Sequence, residues 1–375
     1  MERIASLAEE VPPPVPLATP KMAILREELS GSGYTLASCA ARLGVFPRLG
    51  VNFWPALRSK WAPDANDSVD TLLQLFIDGQ EVAADRLIQR TSAGFVDAVV
   101  ESRLVERDGA ALRSKICLFP CYGRFIVTDR ASRNTAINQV MWLWGESYIL
   151  GGLVKRTPRK RAIDLGTGSG VHALLASDHC ERLVGIDVNP RALEFARFNA
   201  ALNAITNADF VLSDLFAAFE GSCDLLLANP PYIPDCTAPA GDNFWSGGYE
   251  GTGILRRIVQ ALPEKLEPTG TAHIVALYPL RPGMSLKEQC DRWLAGALDG
   301  GISAYDVLDH TWPVPNYQDV LSERPYEGDK SAWRFGVISL RSAKNRAGWW
   351  KQVGGSGLFF RKDGSCCVVA DHDAA

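Results

Sequence analysis

The tightest constraint on this 375-residue chain is Asp164-Leu-Gly-Thr-Gly-Ser-Gly170. The short apolar run 162–163 leads into Asp164. Glycines then alternate at Gly166, Gly168 and Gly170, and residues 172–177 take up helical spacing. This is the sequence of a strand, a glycine turn and a helix, the opening of a nucleotide-binding α/β domain. Glycine lets the backbone approach a ligand where a Cβ would collide. Downstream, strand-like runs at 183–187, 208–212, 223–228 and 271–278 alternate with helical patterns at 190–202 and 253–266. That alternation predicts a parallel, doubly wound sheet, with the near-continuously apolar run 223–228 buried on both faces. A helix at 286–298 and strands at 303–308 and 333–340 bring the expected count to seven strands, ending in an antiparallel pair. Residues 358–360 and 366–369 read as a further hairpin around Asp363-Gly364.

The region before the turn has a different texture. Residues 1–20 are rich in proline and read as a disordered or surface-laid arm. Helical spacing recurs at 21–29, 34–43, 69–76, 82–89 and 95–102, and 47–63 reads as an irregular, partly buried connection. Two arms around Asp108-Gly109 form a hairpin signal, and strands are expected at 116–119 and 125–128. Three helices followed by a hairpin give a mainly helical, winged-helix-like outline. Its third helix carries Asp97 and Glu101 and almost no positive charge, which argues against reading DNA. Residues 138–153, with Trp142, Trp144 and Tyr148, read either as a helix packed on the sheet edge or as a lid or floor for the ligand. The division expected is an arm at 1–20, an N-terminal substrate or partner domain at 21–135, a catalytic domain at 136–345 and a C-terminal extension at 346–375.

Charge and cysteine content exclude some classes. The formal net charge of -4 speaks against gripping a long tract of nucleic acid. The nine cysteines show no zinc spacing and no disulfide framework, which points to a reducing compartment. With no secretory h-region and no long apolar run, the expectation is a cytoplasmic protein with no membrane span and no metal. The oligomeric state is not legible. His172 reads as a packed residue, and His310 offers only a weak case for a general base.

Three features are expected on one edge of the sheet. The glycine turn is the first. Asp187, ending the second strand, can accept both hydroxyls of a ribose. Asp214, after the third strand, can accept from an adenine amino group while Leu215 or Phe216 covers the ring. The spacing here is G-x-G-x-G, with Val171 where a dinucleotide turn wants glycine or alanine. The most specific stretch is Asn229-Pro230-Pro231-Tyr232, closing the fourth strand. The Asn229 side-chain oxygen and the Pro230 carbonyl can each accept an N–H of a planar nitrogen. The prolines fix φ and donate nothing, and Tyr232 offers a face to a planar group or to a cation.

Together these residues resemble the class I S-adenosylmethionine-dependent methyltransferases that carry an N-P-P-Y motif. That group includes N6-adenine methyltransferases and the glutamine methyltransferases of peptide-chain release factors. The resemblance covers roughly 160–280, and Gly247-Gly248-Tyr249-Glu250-Gly251 is similar to the release-factor branch, with Glu250 in place of its aspartate. The N-terminal region is instead similar to that of a group of uncharacterised bacterial methyltransferases. The resemblance implies a Rossmann-like methyltransferase sheet and S-adenosyl-L-methionine as cofactor. It implies cofactor contacts from Asp164, Gly166, Thr167, Gly168, Gly170, Asp187, Val188, Asp214, Leu215 and Asn229, and catalytic roles for Asn229, Pro230 and Tyr232. The acceptor expected is a nitrogen of a small molecule or amino-acid-like compound. Protein glutamine is the alternative, followed by nucleic-acid adenine or a non-catalytic module that only binds the cofactor. Cyclisation of the cofactor's own arm also stays open.

Overall fold

The computed structural model describes residues 11–43, 61–130, 138–233, 246–248, 251–279, 290, 292–293, 302–310, 333–342, 353–354, 357–360 and 366–369. Most of the expected helix at 286–298, most of the connection at 47–63, and Glu250 lie outside them; of 286–298 only residues 290 and 292–293 are described, all helical.

The N-terminal half begins with α1 (Thr19–Gly31) and α2 (Leu36–Leu43). Next comes α3 (Ser68–Leu73), extended by a π-helical turn at Gln74–Asp78. Asp67 caps α3 by accepting from the Asp70 N–H at 2.9 Å. Gly79, at φ 73°, ends the π turn in a left-handed conformation. The pattern at 82–89 is not wholly helical. Val82–Ala83 form strand β1, and α4 (Ala84–Arg90) starts only after them. Then α5 (Ala93–Glu101), capped by the Ser92 hydroxyl, leads into β2 (Glu106–Asp108) and β3 (Ala111–Arg113). β3 pairs antiparallel with both β2 and β1, so the start of an apparent helix is drawn into a three-stranded sheet. A second hairpin, β4 (Ile116–Cys121) and β5 (Arg124–Asp129), is buried along almost its whole length. Residues 11–18 lie against this body: Val15 N–H donates to the Ser102 carbonyl at 3.0 Å.

The α/β core follows: α6 (Gly145–Leu153), β6 (Arg159–Leu165), α7 (Val171–Ala176), β7 (Cys180–Asp187), α8 (Pro190–Leu202), β8 (Ala208–Leu212), β9 (Cys223–Ala228), α9 (Gly253–Lys265), β10 (Leu266–Pro279), β11 (Ile302–His310), β12 (Trp333–Ser342) and β13 (Val353–Gly354). The strand order is β13-β11-β12-β10-β9-β6-β7-β8, with β6 to β10 parallel and β12 antiparallel to both its neighbours. The sheet holds eight strands rather than seven, because the two-residue β13 adds to its edge. β14 (Gly357–Phe360) and β15 (Cys366–Val369) form the separate hairpin expected there. The order reverses at β6, which lies between β7 and β9. Such a reversal opens a crevice at the carboxyl ends of the strands, and β6, β7 and β9 all end there in register.

Two apolar clusters cover the faces of the sheet. One runs from Met22 and Phe76 through Phe119 and Leu150 to Leu174, Phe195 and Phe198, so the N-terminal elements share a core with α6, α7 and α8. The other packs α9 through Leu255, Ile258 and Leu262 against Ile163, Leu226 and Ile274. The β4–β5 hairpin docks on α8 by polar contacts as well. The Asn199 and Asn203 amides bond the backbone of Val127 and Phe125, both accepting from the N–H and donating to the carbonyl at 2.8–2.9 Å. Two asparagines one turn apart thus stand in for a missing neighbour strand. Beside them Arg191 Nη2 donates to Asp129 Oδ1 at 2.5 Å, with both side chains 8% exposed.

Asp129→Ala leaves the Arg191 guanidinium buried without its carboxylate, a change that costs about 3–5 kcal/mol. Urea unfolding of the full chain is expected to show that loss. The double variant Asp129→Leu/Arg191→Met is expected to recover most of it.

Candidate active site

A cavity of about 480 Å³ opens at the reversal point. Its floor is the glycine turn. Gly166 and Gly168 have positive φ, 65° and 52°. A Cβ on Gly168 would have no atom nearer than 4.0 Å, so a side chain there would project into free space that the bare backbone leaves for a ligand. Gly170 does different work. At φ 81°, it lies where a Cβ would sit 3.1 Å from Ala196 Cβ, so its role is to seat α7 against α8. It does not line the cavity.

The turn is held from behind by two carboxyl groups. Asp164 is buried; its Oδ2 accepts from the Thr167 hydroxyl at 2.7 Å and from the Ala173 N–H at 3.1 Å. Burial pushes its carboxyl up to about 7, against the pull of those two donors. It therefore braces the turn and the first turn of α7 and is not among the cavity's lining residues. Asp187 is at the cavity wall. Its Oδ2 accepts from Gly168 N–H at 2.8 Å and its Oδ1 from Asn189 N–H at 2.9 Å. Burial raises its pKa too, opposed by the backbone N–H groups it accepts from.

Val188, 54% exposed, and Leu215 lie on the same wall, beside Thr167 and Asp214. An apolar side chain left open at a polar rim suits a flat ring laid over it. Leu215 adopts φ 48°, which an L-residue with a branched side chain rarely does. Asp214 is half-exposed and paired with Arg257 Nη2 at 2.8 Å.

Asn229 and Pro230, following β9, line the cavity beside the turn, with Pro230 Cα 4.0 Å from where a Gly166 Cβ would be. Asn229 Oδ1 is buried and has no hydrogen-bond partner. Such an atom costs about 1–3 kcal/mol if it stays unsatisfied, so it marks a place where a ligand's N–H belongs. The backbone after it is tied down: Ile233 C=O accepts from Gly247 N–H at 2.8 Å, and Gly247 C=O from Gly253 N–H at 2.7 Å. Tyr232 is not placed to stack on a ligand in the cavity. It is 6% exposed, and its hydroxyl donates to Glu146 Oε1 at 3.2 Å. Burial raises the Glu146 carboxyl to about 7, although Tyr232 and a backbone N–H favour its charged form.

Gln139, Met141 and Trp142, ahead of α6, and Ser147, in its first turn, line the cavity; the sequence singled out their stretch but not Gln139 or Met141 as individual residues. Of 138–153, residues 139–143 line the cavity, and α6 after them packs in the apolar core beside α7 rather than on an edge strand of the sheet. Residues 139–143 hang from the N-terminal half. Asp129 Oδ2 accepts from Val140 N–H at 2.8 Å, and Gln139 Nε2 donates to the Arg130 carbonyl at 2.7 Å. Besides its aromatic residues, the stretch is marked by Glu146, a lone charge among otherwise uncharged residues. Among the described residues, no helix is long and apolar enough to cross a membrane, and no group of three or more His, Cys, Asp or Glu could hold a metal ion.

The bare glycine turn, the open Val188 face and the orphaned Asn229 oxygen fit a nucleoside with a short polar arm. Comparison with known proteins agrees. Residues 145–293 match the methyltransferase small domain family. A putative protein N5-glutamine methyltransferase of Methanocaldococcus jannaschii is 35% identical over 121 residues, 31% of this chain and 61% of that protein. The release factor glutamine methyltransferase of Mycolicibacterium smegmatis is 35% identical over 128 residues, 30% of this chain and 45% of the relative. The ribosomal protein uL3 glutamine methyltransferase of Bradyrhizobium diazoefficiens is 34% identical over 127 residues, 30% of this chain and 40% of the relative. The chain thus spans less than two thirds of the length of each.

Because the folded-state pKa of Glu146 is raised, the native state holds a proton that the unfolded state has lost between about pH 4.5 and 7. Stability therefore falls as pH rises through that window and is flat above it. Glu146→Gln keeps the acceptor for Tyr232 and removes the titration. Thermal melts at pH 5 and pH 8.5 are expected to show a smaller loss for the variant than for the wild type, by up to about 3 kcal/mol.

Proposed function

We propose, from the premise that residues 145–293 belong to the class I S-adenosylmethionine-dependent methyltransferases related to the release-factor glutamine enzymes, that this chain methylates the side-chain amide nitrogen of a protein glutamine. The observation that carries the acceptor chemistry is Asn229 Oδ1, a buried hydrogen-bond acceptor with no partner on the cavity wall. The three relatives described above are named for protein glutamine and none for a small molecule, so their names move the proposal from the small-molecule acceptor expected at first.

The cofactor supplies a methyl group on a sulfonium, and the protein's part is alignment. A planar amide nitrogen is a weak nucleophile, and its rate depends on being held at the correct angle. Asn229 Oδ1 takes one N–H, and the Pro230 carbonyl is the second acceptor proposed. Fixed φ at two successive prolines keeps both acceptors in place. Tyr232 acts on this stretch from behind, anchored on Glu146. Gly166, Thr167, Gly168, Asp187, Val188, Asp214 and Leu215 form the cofactor-binding wall. Asp164 and Gly170 support that wall without lining it.

Residues 21–135 are proposed to select the substrate. The order α3, β1, α4, α5, β2, β3 supports a winged-helix-like reading. The sequence of α5 carries no lysine or arginine, and Phe95, Val96, Ala98 and Val99 are buried in the core, which does not favour nucleic acid as the target.

The test is incubation with S-adenosylmethionine and purified release factors or ribosomal protein uL3, followed by peptide mass spectrometry. A single methyl on a glutamine supports the reading; unmodified glutamines, with methylation of RNA adenine or of a metabolite when those are supplied in parallel incubations, overturn it. Asn229→Ala is expected to keep cofactor affinity within a few-fold while kcat falls about 100-fold. Calorimetry with S-adenosylhomocysteine and single-turnover rates measure the two.

A further inference from the structure

His172 is 4% exposed, and neither of its ring nitrogens has a hydrogen-bond partner. It stands at the second position of α7 and lines the same cavity as Asn229. Burial pushes its imidazole down to about 3, so it is neutral at any working pH, with one nitrogen a donor and the other an acceptor. Asp164 takes the Thr167 hydroxyl and the Ala173 N–H, so neither of those donors is available to the ring in its place.

The cavity's other orphans show the same polarity. Gln139 Oε1 and Asn229 Oδ1 are buried, unpartnered and acceptor-only, because the Gln139 amide nitrogen is turned away to the Arg130 carbonyl. These two oxygens therefore ask the ligand for N–H donors. A ligand that brings N–H groups as an amide or an amino acid also brings oxygens. His172 lines this wall with a ring N–H that no protein group takes up and that can be offered to them.

We propose that His172 is a ligand-contact residue: its ring N–H donates to an oxygen of the group bound beside Asn229. That oxygen belongs either to the carbonyl of the acceptor amide or to the carboxylate of the cofactor's amino-acid arm. The first source rests on the glutamine reading above; the second does not. A histidine kept only for packing gains nothing from two unsatisfied nitrogens, whereas leucine fills similar space without them.

The experiment compares His172→Leu, His172→Gln and wild type in the full chain. Without ligand, His172→Leu is expected to melt at the same temperature as wild type or higher. Calorimetry with S-adenosylhomocysteine then separates the sources. A fall in affinity of about tenfold, equal to about 1.4 kcal/mol, with His172→Gln restoring most of it, assigns the oxygen to the cofactor's carboxylate. Unchanged affinity with a KM for the glutamine-bearing protein raised about tenfold, again rescued by Gln, assigns it to the acceptor. The proposal is overturned if neither quantity moves, or if both variants lose stability in step with activity. Failure of the wild type to methylate glutamine sinks the amide reading alone, and the calorimetric result then decides the role of His172.

Discussion

The carboxylate of Asp129 is the point on which three parts of the molecule are hung. It ends the β4–β5 hairpin, pairs with Arg191 at the start of α8, and accepts from the Val140 N–H of the cavity wall. A buried ion pair is weak evidence for stability, since apolar residues of similar volume often do as well. What it supplies here is register. An apolar contact would let this stretch slide, whereas a carboxylate with two fixed oxygens and directional donors fixes where Val140 sits on the cavity wall. Arg130, the next residue, donates to the carbonyls of Ile77, Phe76 and Ile116 and so ties the end of the π turn to the same hairpin.

The parallel core was legible because its signals are local and repeated. Apolar strands of period two or fully apolar runs, separated by helical stretches, leave few alternative topologies. Pro190 after the Asn189 cap marks the start of α8 in the sequence itself. The failures come where tertiary pairing overrides a local pattern. Val82 and Ala83 sit at helical spacing with Leu87, yet β3 offers them backbone partners that the helix does not. The two-residue β13 was illegible for the same reason: a strand that short has no pattern of its own and exists through pairing with Leu308 and Asp309.

The site was legible in its composition and less so in its geometry. Residues whose backbone must come close to a ligand announce themselves as glycine or proline, and Gly166, Gly168 and Pro230 do line the cavity. Direction does not show in a sequence. Tyr232 carries the right chemistry for stacking, but Glu146 holds its hydroxyl. Asp164 belongs to the most recognisable stretch of the chain and faces the back of the turn. Gln139 and Met141 precede the glycine turn by more than twenty residues and reach the cavity only because Asp129 and Arg130 carry them there.

This arrangement makes the N-terminal half part of the binding wall rather than an attachment to it. Asn199 shows why. Its amide nitrogen donates both to Val127 of the hairpin and to the Ser169 carbonyl within the glycine turn, while its oxygen accepts from Val127 N–H. One buried side chain thus fixes the spacing between the hairpin that carries residues 139–143 and the turn that forms the floor. Hairpin and turn cannot part without leaving that amide unsatisfied in the core, a penalty that opposes opening. The cavity is therefore preorganised along this wall, and the low entropic cost of binding there comes from contacts made far from any reacting atom.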